Sequence, residues 1–299
     1  MKILISGASG MVGAALTKAF RAEGLTVAHL VRPGGAASNG AIRWDPATGT
    51  VDASAMEGAD AVVNLNGASV AGGRWTPERK AILRASRVDA TRALVNALAR
   101  LRRKPRVLVS ASAVGYYGDR SDEILTESSG AGAGFLAELA RDWEAEAMRA
   151  EASGIRTVLA RFGVVLSAEG GALPRMLTPF RMGAGGRLGS GKQWMPWIAL
   201  EDAIGAIRFV IANAQVSGAV NVVAPNAVRN AEFTRTLAHA LRRPAIFPAP
   251  AFALRLVLGE MADELLLASQ RARPERLLAA GYAFRFDSLD AALHTILAA

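Results

Sequence analysis

Short apolar runs alternate along this chain with longer stretches whose apolar positions recur every three or four residues. Ile3-Leu4-Ile5 predicts a strand over Lys2–Ser6, followed by a glycine loop over Gly7–Gly13 and a helix over Ala14–Glu23 that stops at Gly24. A second strand is expected over Leu25–Val31, closed by Arg32-Pro33-Gly34-Gly35, and a third over Ala59–Leu65, with a glycine-containing loop, Asn66–Gly73, after it. Thr76 and Pro77 then open a long helix, the hydroxyl as a cap and the proline in the first turn, where its missing N–H is harmless. Further strands are expected over Val107–Ser110, Thr157–Arg161 and Ala219–Val223, and a helix over Phe135–Ala152. Strands that alternate with helices pair in parallel through right-handed crossovers, so the expected class is α/β with a doubly wound parallel sheet.

Two stretches break the alternation. Ser167–Pro196 is rich in glycine and proline, and Asn230–Ala299 reads as helical, with Pro248 and Pro250 at a joint and Pro274 opening a further helix. The expected organisation is therefore a sheet domain over residues 1–228, in which 166–196 forms a lid, and a smaller, mostly helical lobe over 229–299. Both would lie over the carboxyl ends of the strands, where such sheets bind ligands.

Composition narrows the classes. Of the 299 residues 51% are hydrophobic and 20% charged, which predicts a sizeable packed core rather than disorder. With no cysteine, disulfides, thiolate metal sites and cysteine nucleophiles are excluded. No apolar stretch approaches the roughly 18 uninterrupted residues of a membrane helix, and strand and glycine loop follow directly on Met1, so the expected address is the cytosol. The net charge of +9 raises nucleic acid as a partner. Its one tight cluster, Leu101-Arg102-Arg103-Lys104, ends a helix where cations suit the dipole, so no specific nucleic-acid binding is expected. His29, His239 and His294 are dispersed and give no metal motif.

The chemistry begins at Gly7-Ala8-Ser9-Gly10-Met11-Val12-Gly13. Glycines at this spacing, after a first strand and at the head of a helix, let a pyrophosphate approach backbone N–H groups, as in a Rossmann-type dinucleotide site. A carboxylate at the end of the second strand would favour NAD; this sequence has Leu30-Val31-Arg32 instead. A guanidinium can hold the additional 2′-phosphate of NADP in a two-point contact, so NADP is expected over NAD.

The loop, together with Asn64-Leu65-Asn66-Gly67 and Ser110-Ala111-Ser112-Ala113-Val114-Gly115-Tyr116-Tyr117-Gly118, resembles the extended short-chain dehydrogenase/reductase superfamily. Arg74-Trp75-Thr76, Ser86-Arg87, Arg161-Phe162-Gly163-Val164-Val165-Leu166, Gly189-Ser190-Gly191-Lys192-Gln193, Trp197-Ile198 and Glu201-Asp202 narrow the likeness to its atypical "epimerase family" branch of sugar-nucleotide epimerase-like proteins, over nearly the whole chain. Some members of that branch are linked to cell or plastid division. The resemblance implies a cofactor held by Gly7, Ser9, Gly10, Met11, Val12, Gly13, Arg32, Leu65, Asn66, Gly67, Ser110, Ala111 and Arg161.

In the superfamily a serine near the fourth or fifth strand binds the substrate oxygen, and a tyrosine, tuned by a lysine four residues on, moves its proton. Ser112 matches the serine. The expected tyrosine and lysine positions hold Phe135 and Leu139, or Leu136 and Ala140 if the register shifts by one; Phe135 and Leu139 form an apolar stripe with Trp143. Tyr116 and Tyr117 are the substitutes the sequence offers, Tyr117 reading first as architecture and Tyr116 standing open to either role. The implied activity is an NADP-dependent oxidoreductase or epimerase-like reaction on a small polar or nucleotide-linked substrate. The rival is a cofactor-binding regulator without turnover, in which nucleotide orders the lid and lobe for a protein partner. Glu201-Asp202 reads either as a helix cap or as facing the cofactor, and Trp194 and Trp197 as ligand-stacking or core residues.

Overall fold

The computed structural model describes residues 1–34 and 41–298; Gly35, in the turn expected after the second strand, and Ala299 lie outside the described residues. The chain begins with β1 (Lys2–Ser6), α1 (Met11–Ala22), β2 (Thr26–Val31), β3 (Ala41–Asp45), β4 (Thr50–Val51), α2 (Ala53–Met56) and β5 (Ala61–Asn64). Next come α3 (Pro77–Arg84), a π-helical turn (Ala85–Asp89), α4 (Ala90–Arg100), β6 (Val107–Ala113), a 3₁₀ turn (Val114–Tyr117), β7 (Ile124–Leu125) and α5 (Phe135–Met148). They are followed by β8 (Arg156–Phe162), β9 (Val164–Leu166), α6 (Leu173–Arg181), β10 (Trp194–Met195), β11 (Trp197–Ala199), α7 (Leu200–Ala212) and β12 (Gly218–Val222). The remainder holds β13 (Val228–Arg229), α8 (Asn230–Leu241), α9 (Ala251–Leu258), a second π-helical turn (Ala262–Leu267), β14 (Arg271–Ala272), α10 (Glu275–Ala279) and α11 (Leu289–Ala298).

The main sheet has the order β12-β8-β6-β5-β1-β2-β3-β4, parallel throughout except for β4, which runs antiparallel to β3. The strands are covered on both faces, which explains their near-continuous apolar runs. Ile3, Ile5, Val63 and Val109 pack with Leu16 and Phe20 of α1 and Ile207 of α7, whereas Leu4, Val62 and Leu108 face Leu94 and Leu98 of α4. The doubly wound α/β sheet expected from the alternation is the architecture found, with a mostly helical C-terminal part. Strand order reverses at β1, between β2 and β5, so the crevice for a ligand opens above the carboxyl ends of β1 and β5.

Three details depart from the sequence reading. The hairpin of β3 and β4 was not expected; Ile42 and Trp44 are buried while Arg43 between them is exposed, the alternation of a half-buried edge strand. Helix α1 starts at Met11, so the second half of the glycine loop is already its first turn. Strand β6 runs on to Ala113, which puts Ser112 inside the sheet, in register with Arg161 of β8.

Leu173, Leu177 and Phe180 of α6 join Trp197, Phe233 and Leu237 of α8, and Leu289 and Leu293 of α11 in a second core. The chain also returns to the first: Leu277 of α10 packs with Ile207 and Val220, and Tyr282 and Phe284 follow it. That return is tied down by Asp202, whose carboxylate accepts from the backbone N–H groups of Arg285 at 2.7 Å and Phe286 at 3.0 Å.

Candidate functional site

At the head of α1 the backbone leaves no room for side chains. Gly7 has φ +71°, and a Cβ there would lie 2.4 Å from the carbonyl oxygen of Leu65. A Cβ on Gly13 would lie 2.4 Å from the oxygen of Gly7. Gly7 therefore lets the loops after β1 and β5 touch, and Gly13 lets α1 start directly beneath the turn. Gly10 is the N-cap; no side chain caps the helix, and no carboxylate stands in its first turn. The free N–H groups and the positive end of the helix dipole thus face the crevice. Residues 170 and 171 pass beside Met11: a Cβ on Gly171 would be 3.1 Å from Met11 Cε. Arg32, just beyond β2, is exposed.

Beneath this surface the strand ends carry a closed polar network. Ser6 Oγ donates to Asn64 Oδ1 at 2.8 Å, and Asn64 Nδ2 donates to Thr91 Oγ1 at 2.9 Å and Ser110 Oγ at 3.1 Å. Asn66 folds back on Asn64 at 2.9 Å. Ser110 is fully buried, so its side chain braces the strands and is not presented to the crevice, while Leu65, Asn66 and Gly67 lie above it at partly exposed or exposed positions. Ala111 is buried in the apolar cluster with Leu139 and Trp143.

A second network joins the three hydroxyl candidates. Ser112 Oγ donates to Glu144 Oε1 at 2.6 Å; the same carboxylate accepts from Arg161 Nε at 2.8 Å and Nη2 at 2.7 Å. Arg161 Nη1 donates to the Tyr117 hydroxyl at 3.0 Å, and that hydroxyl lies 2.7 Å from Asn221 Oδ1 and 2.9 Å from the Thr126 carbonyl. Arg161 and Glu144 are 4% and 8% exposed, so the pair is sealed from water. Burial opposes the charge on Arg161, but the two-point contact with Glu144 outweighs it and raises the pKa above the ordinary arginine value. Tyr117, wholly buried, is pushed up by burial despite Arg161, which keeps it protonated and architectural. Arg161 is thus turned inward to Glu144 rather than outward to a nucleotide. The Tyr116 ring stacks on its guanidinium at 3.5 Å from ring centroid to Cζ, and the Tyr116 hydroxyl makes no hydrogen bond among the described residues.

Helix α5 explains why the sequence missed Glu144. Its buried stripe is Ala137, Leu139, Ala140, Trp143, Glu144 and Ala147. A carboxylate at a core position of a helix was the available signal, because such a charge needs a buried partner. Phe135 and Leu139 pack with Trp75, Leu83 and Met261, as the apolar reading of this helix expects. The first amides of α5 are held from the C-terminal part: Phe135 N and Leu136 N donate to Glu264 at 2.8 and 2.7 Å.

Other sequence candidates fall elsewhere. Asp202 tethers the returning chain and Glu201 pairs with Arg285, so neither caps α7 nor faces the crevice. Trp197 is fully buried and donates to the Asn226 carbonyl, a core role. Trp194 stacks with Arg229 and Arg271 at 4.7 and 4.4 Å. The 101–104 cluster does serve the end of α4: Lys104 Nζ donates to the Leu101 carbonyl at 3.4 Å, and Glu57 accepts from the backbone of Arg102 and Arg103. His239 and His294, dispersed in sequence, meet with Asp290 on the surface, their ligand atoms within 4.8 Å of one another. Arg242 and Arg243 line the same hollow and oppose a cation there.

This geometry belongs with a known group of proteins. The model of the NAD dependent epimerase/dehydratase family matches residues 3–223. The chain belongs to that family. A second model, described as a domain of unknown function (DUF1731), matches residues 249–296. Among relatives of this epimerase-family chain, an epimerase family protein of Mycobacterium bovis is 46% identical over 291 residues, 97% of this chain and 96% of the relative. The crystal structure of the human epimerase family protein SDR39U1 (isoform 2) with NADPH superposes with a TM-score of 0.89 at 34% identity, covering 99% of each chain. A nucleoside-diphosphate sugar epimerase from Corynebacterium glutamicum superposes with a TM-score of 0.82 at 36% identity, covering 99% of this chain and 58% of that one. No helix among the described residues is long and apolar enough to cross a membrane.

Proposed function

We propose that this chain is an NADP(H)-binding enzyme of the reductase or epimerase type, acting on a small polar or nucleotide-linked substrate. The head of α1 fits the dinucleotide: side chains are excluded at Gly7 and Gly13, and the first turn offers uncapped N–H groups and no opposing carboxylate. Exposed Arg32 at the end of β2 supports NADP over NAD, as does the NADPH in the human relative. When bound, the nicotinamide supplies the hydride donor or acceptor.

The chain's own residues then have to orient the reacting oxygen and move its proton. The observation that carries the catalytic reading is the uncommitted Tyr116 hydroxyl, beside two committed ones. Arg161 fixes the Tyr116 ring by stacking, which supports Tyr116 as the proton donor or acceptor. Ser112 is 3% exposed and donates its one hydroxyl proton to Glu144, so only its acceptor lone pairs are left for a substrate hydroxyl. Buried Tyr117 holds Arg161 in place.

One feature favours a regulator instead. Phe135 and Leu139 supply no proton transfer, and Glu264 couples the C-terminal part to the same helix, a route by which nucleotide could reorder that part for a protein partner. The test is NADPH oxidation, or exchange of substrate deuterium, across a panel of carbonyl compounds and sugar nucleotides. Y116F should lower turnover about 10²–10⁴-fold, the contribution of a general acid, and Y117F, which removes only a support of Arg161, should lower it less. Absence of turnover on every member, with NADPH-dependent hydrogen-exchange protection of residues 167–196, would support the regulator and remove the enzyme.

A further inference from the structure

The loop that follows β5 rests on two arginines that carry no counter-charge. Arg87, in the π-helical turn, lies flat against Gly67: a Cβ there would stand 2.9 Å from Arg87 Cζ and 3.0 Å from Nη2. Arg79 of α3 reaches the same loop, donating to the Ser69 carbonyl. Neither forms an ion pair among the described residues, whereas buried Arg161 of β8 is paired with Glu144.

The donor count is also incomplete. Arg87 Nη1 makes only two long contacts, 3.4 Å to the Leu83 carbonyl and 3.5 Å to Ser86 Oγ. Its Nε and Nη2 make no hydrogen bond among the described residues, and neither is among the polar atoms sealed from solvent. Arg79 Nε is sealed and has no hydrogen-bond partner among the described residues. The Trp143 ring closes the far side of Arg87 at 5.3 Å from the centroid. Burial and the charge of Arg79 push Arg87 down to about 10, a direction that an adjacent anion would reverse. Leaving a guanidinium largely desolvated and unpaired is unfavourable, and its planar fork matches an oxyanion in two-point contact. The place is functional as well: Gly67 is two residues beyond Leu65, whose carbonyl meets Gly7 at the glycine loop.

We propose that Arg87, with Arg79 as a second cation, forms an oxyanion subsite at the edge of the crevice, taking a phosphate or carboxylate. This deepens the enzyme reading and rests on it only for the source of the anion, which is either the cofactor's diphosphate or an acidic group of the substrate. A substrate anion held here would restrict the substrate class to phosphorylated or carboxylated compounds.

The test is calorimetric titration of the full-length protein with inorganic phosphate, with and without saturating NADPH, for wild type, R87Q and R87K. Wild type should bind phosphate, R87Q should bind it about tenfold or more weakly, and R87K should recover part of the loss, because it restores the charge without the fork. Phosphate binding that persists beside NADPH assigns the subsite to the substrate; phosphate that competes with NADPH, with weaker NADPH binding in R87Q, assigns it to the cofactor. Equal phosphate affinity in wild type and both variants, or no binding to wild type, overturns the subsite. Wild type that binds phosphate but not NADPH would leave the subsite standing and sink the cofactor reading alone.

Discussion

Ser112 donates its hydroxyl to Glu144 at 2.6 Å, on strand and helix positions 32 residues apart in sequence. The bond means that a serine in the place expected of a substrate-binding residue is already used as a donor. It also makes Glu144 the hub of the site, since Arg161 pairs with both carboxylate oxygens. Stability should follow that asymmetry. S112A removes one donor from a carboxylate that keeps two, and should cost about 1 kcal/mol in chemical denaturation. E144Q leaves Arg161 charged and buried without its partner, and should cost about 3–5 kcal/mol. Equal effects would mean that the ion pair is not the anchor of the network.

Gly13 makes a sharper claim about the glycine loop. G13A places a methyl 2.4 Å from the Gly7 oxygen and 2.8 Å from Ala8 Cα, both backbone atoms that cannot swing aside. Helix and loop must then separate, with an expected stability loss of about 1–3 kcal/mol and a clear loss of NADPH affinity. G24A is the control, because its Cβ would meet nothing within 4 Å; its positive φ of 75° strains an alanine, so stability falls while NADPH affinity holds. Unchanged NADPH binding in G13A would separate the nucleotide from this turn.

His29 gives a pH dependence. Burial, assisted by the charge of Arg21, lowers its pKa below the ordinary value of 6.5. The folded state therefore prefers the neutral ring, and takes up fewer protons than the unfolded chain once pH falls below about 6.5. Its contribution to stability is present above that pH and declines as the pH drops toward the lowered folded value. Melting temperatures of wild type and H29N between pH 7.5 and 5.5 should diverge in slope, the variant losing less on acidification. Parallel slopes would show that His29 titrates alike in both states.

The sequence carried most of the fold because the strands are covered on both faces. Apolar runs such as Ile3-Leu4-Ile5 then have only one reading, and glycines at 7, 10 and 13 fix where the chain must turn. The edge hairpin was harder to read, since Ile42 and Trp44 offer two buried positions in a five-residue strand. In the site, the turn at residues 7–13 was legible because backbone crowding selects glycine. The roles of Ser112 and Arg161 were not, because each depends on Glu144, brought in from another element at a separation no local pattern records; for Tyr117 the architectural role was legible but its partner Asn221 was not. The meeting of His239 with His294 was hidden for the same reason: two helices far apart in sequence pack side by side.

NADP(H) is proposed to occupy the crevice above β1 and β5 through the glycine turn and Arg32. Calorimetric titration of wild type and R32A with NADPH and NADH tests it most directly. Wild type should prefer NADPH by about 1.5–3 kcal/mol, the range of a charge-assisted phosphate contact, and R32A should lose most of that preference while its affinity for NADH stays the same. Equal affinity of wild type for the two nucleotides, or a preference that survives in R32A, would contradict the role given to Arg32; no binding of either would contradict the account as a whole.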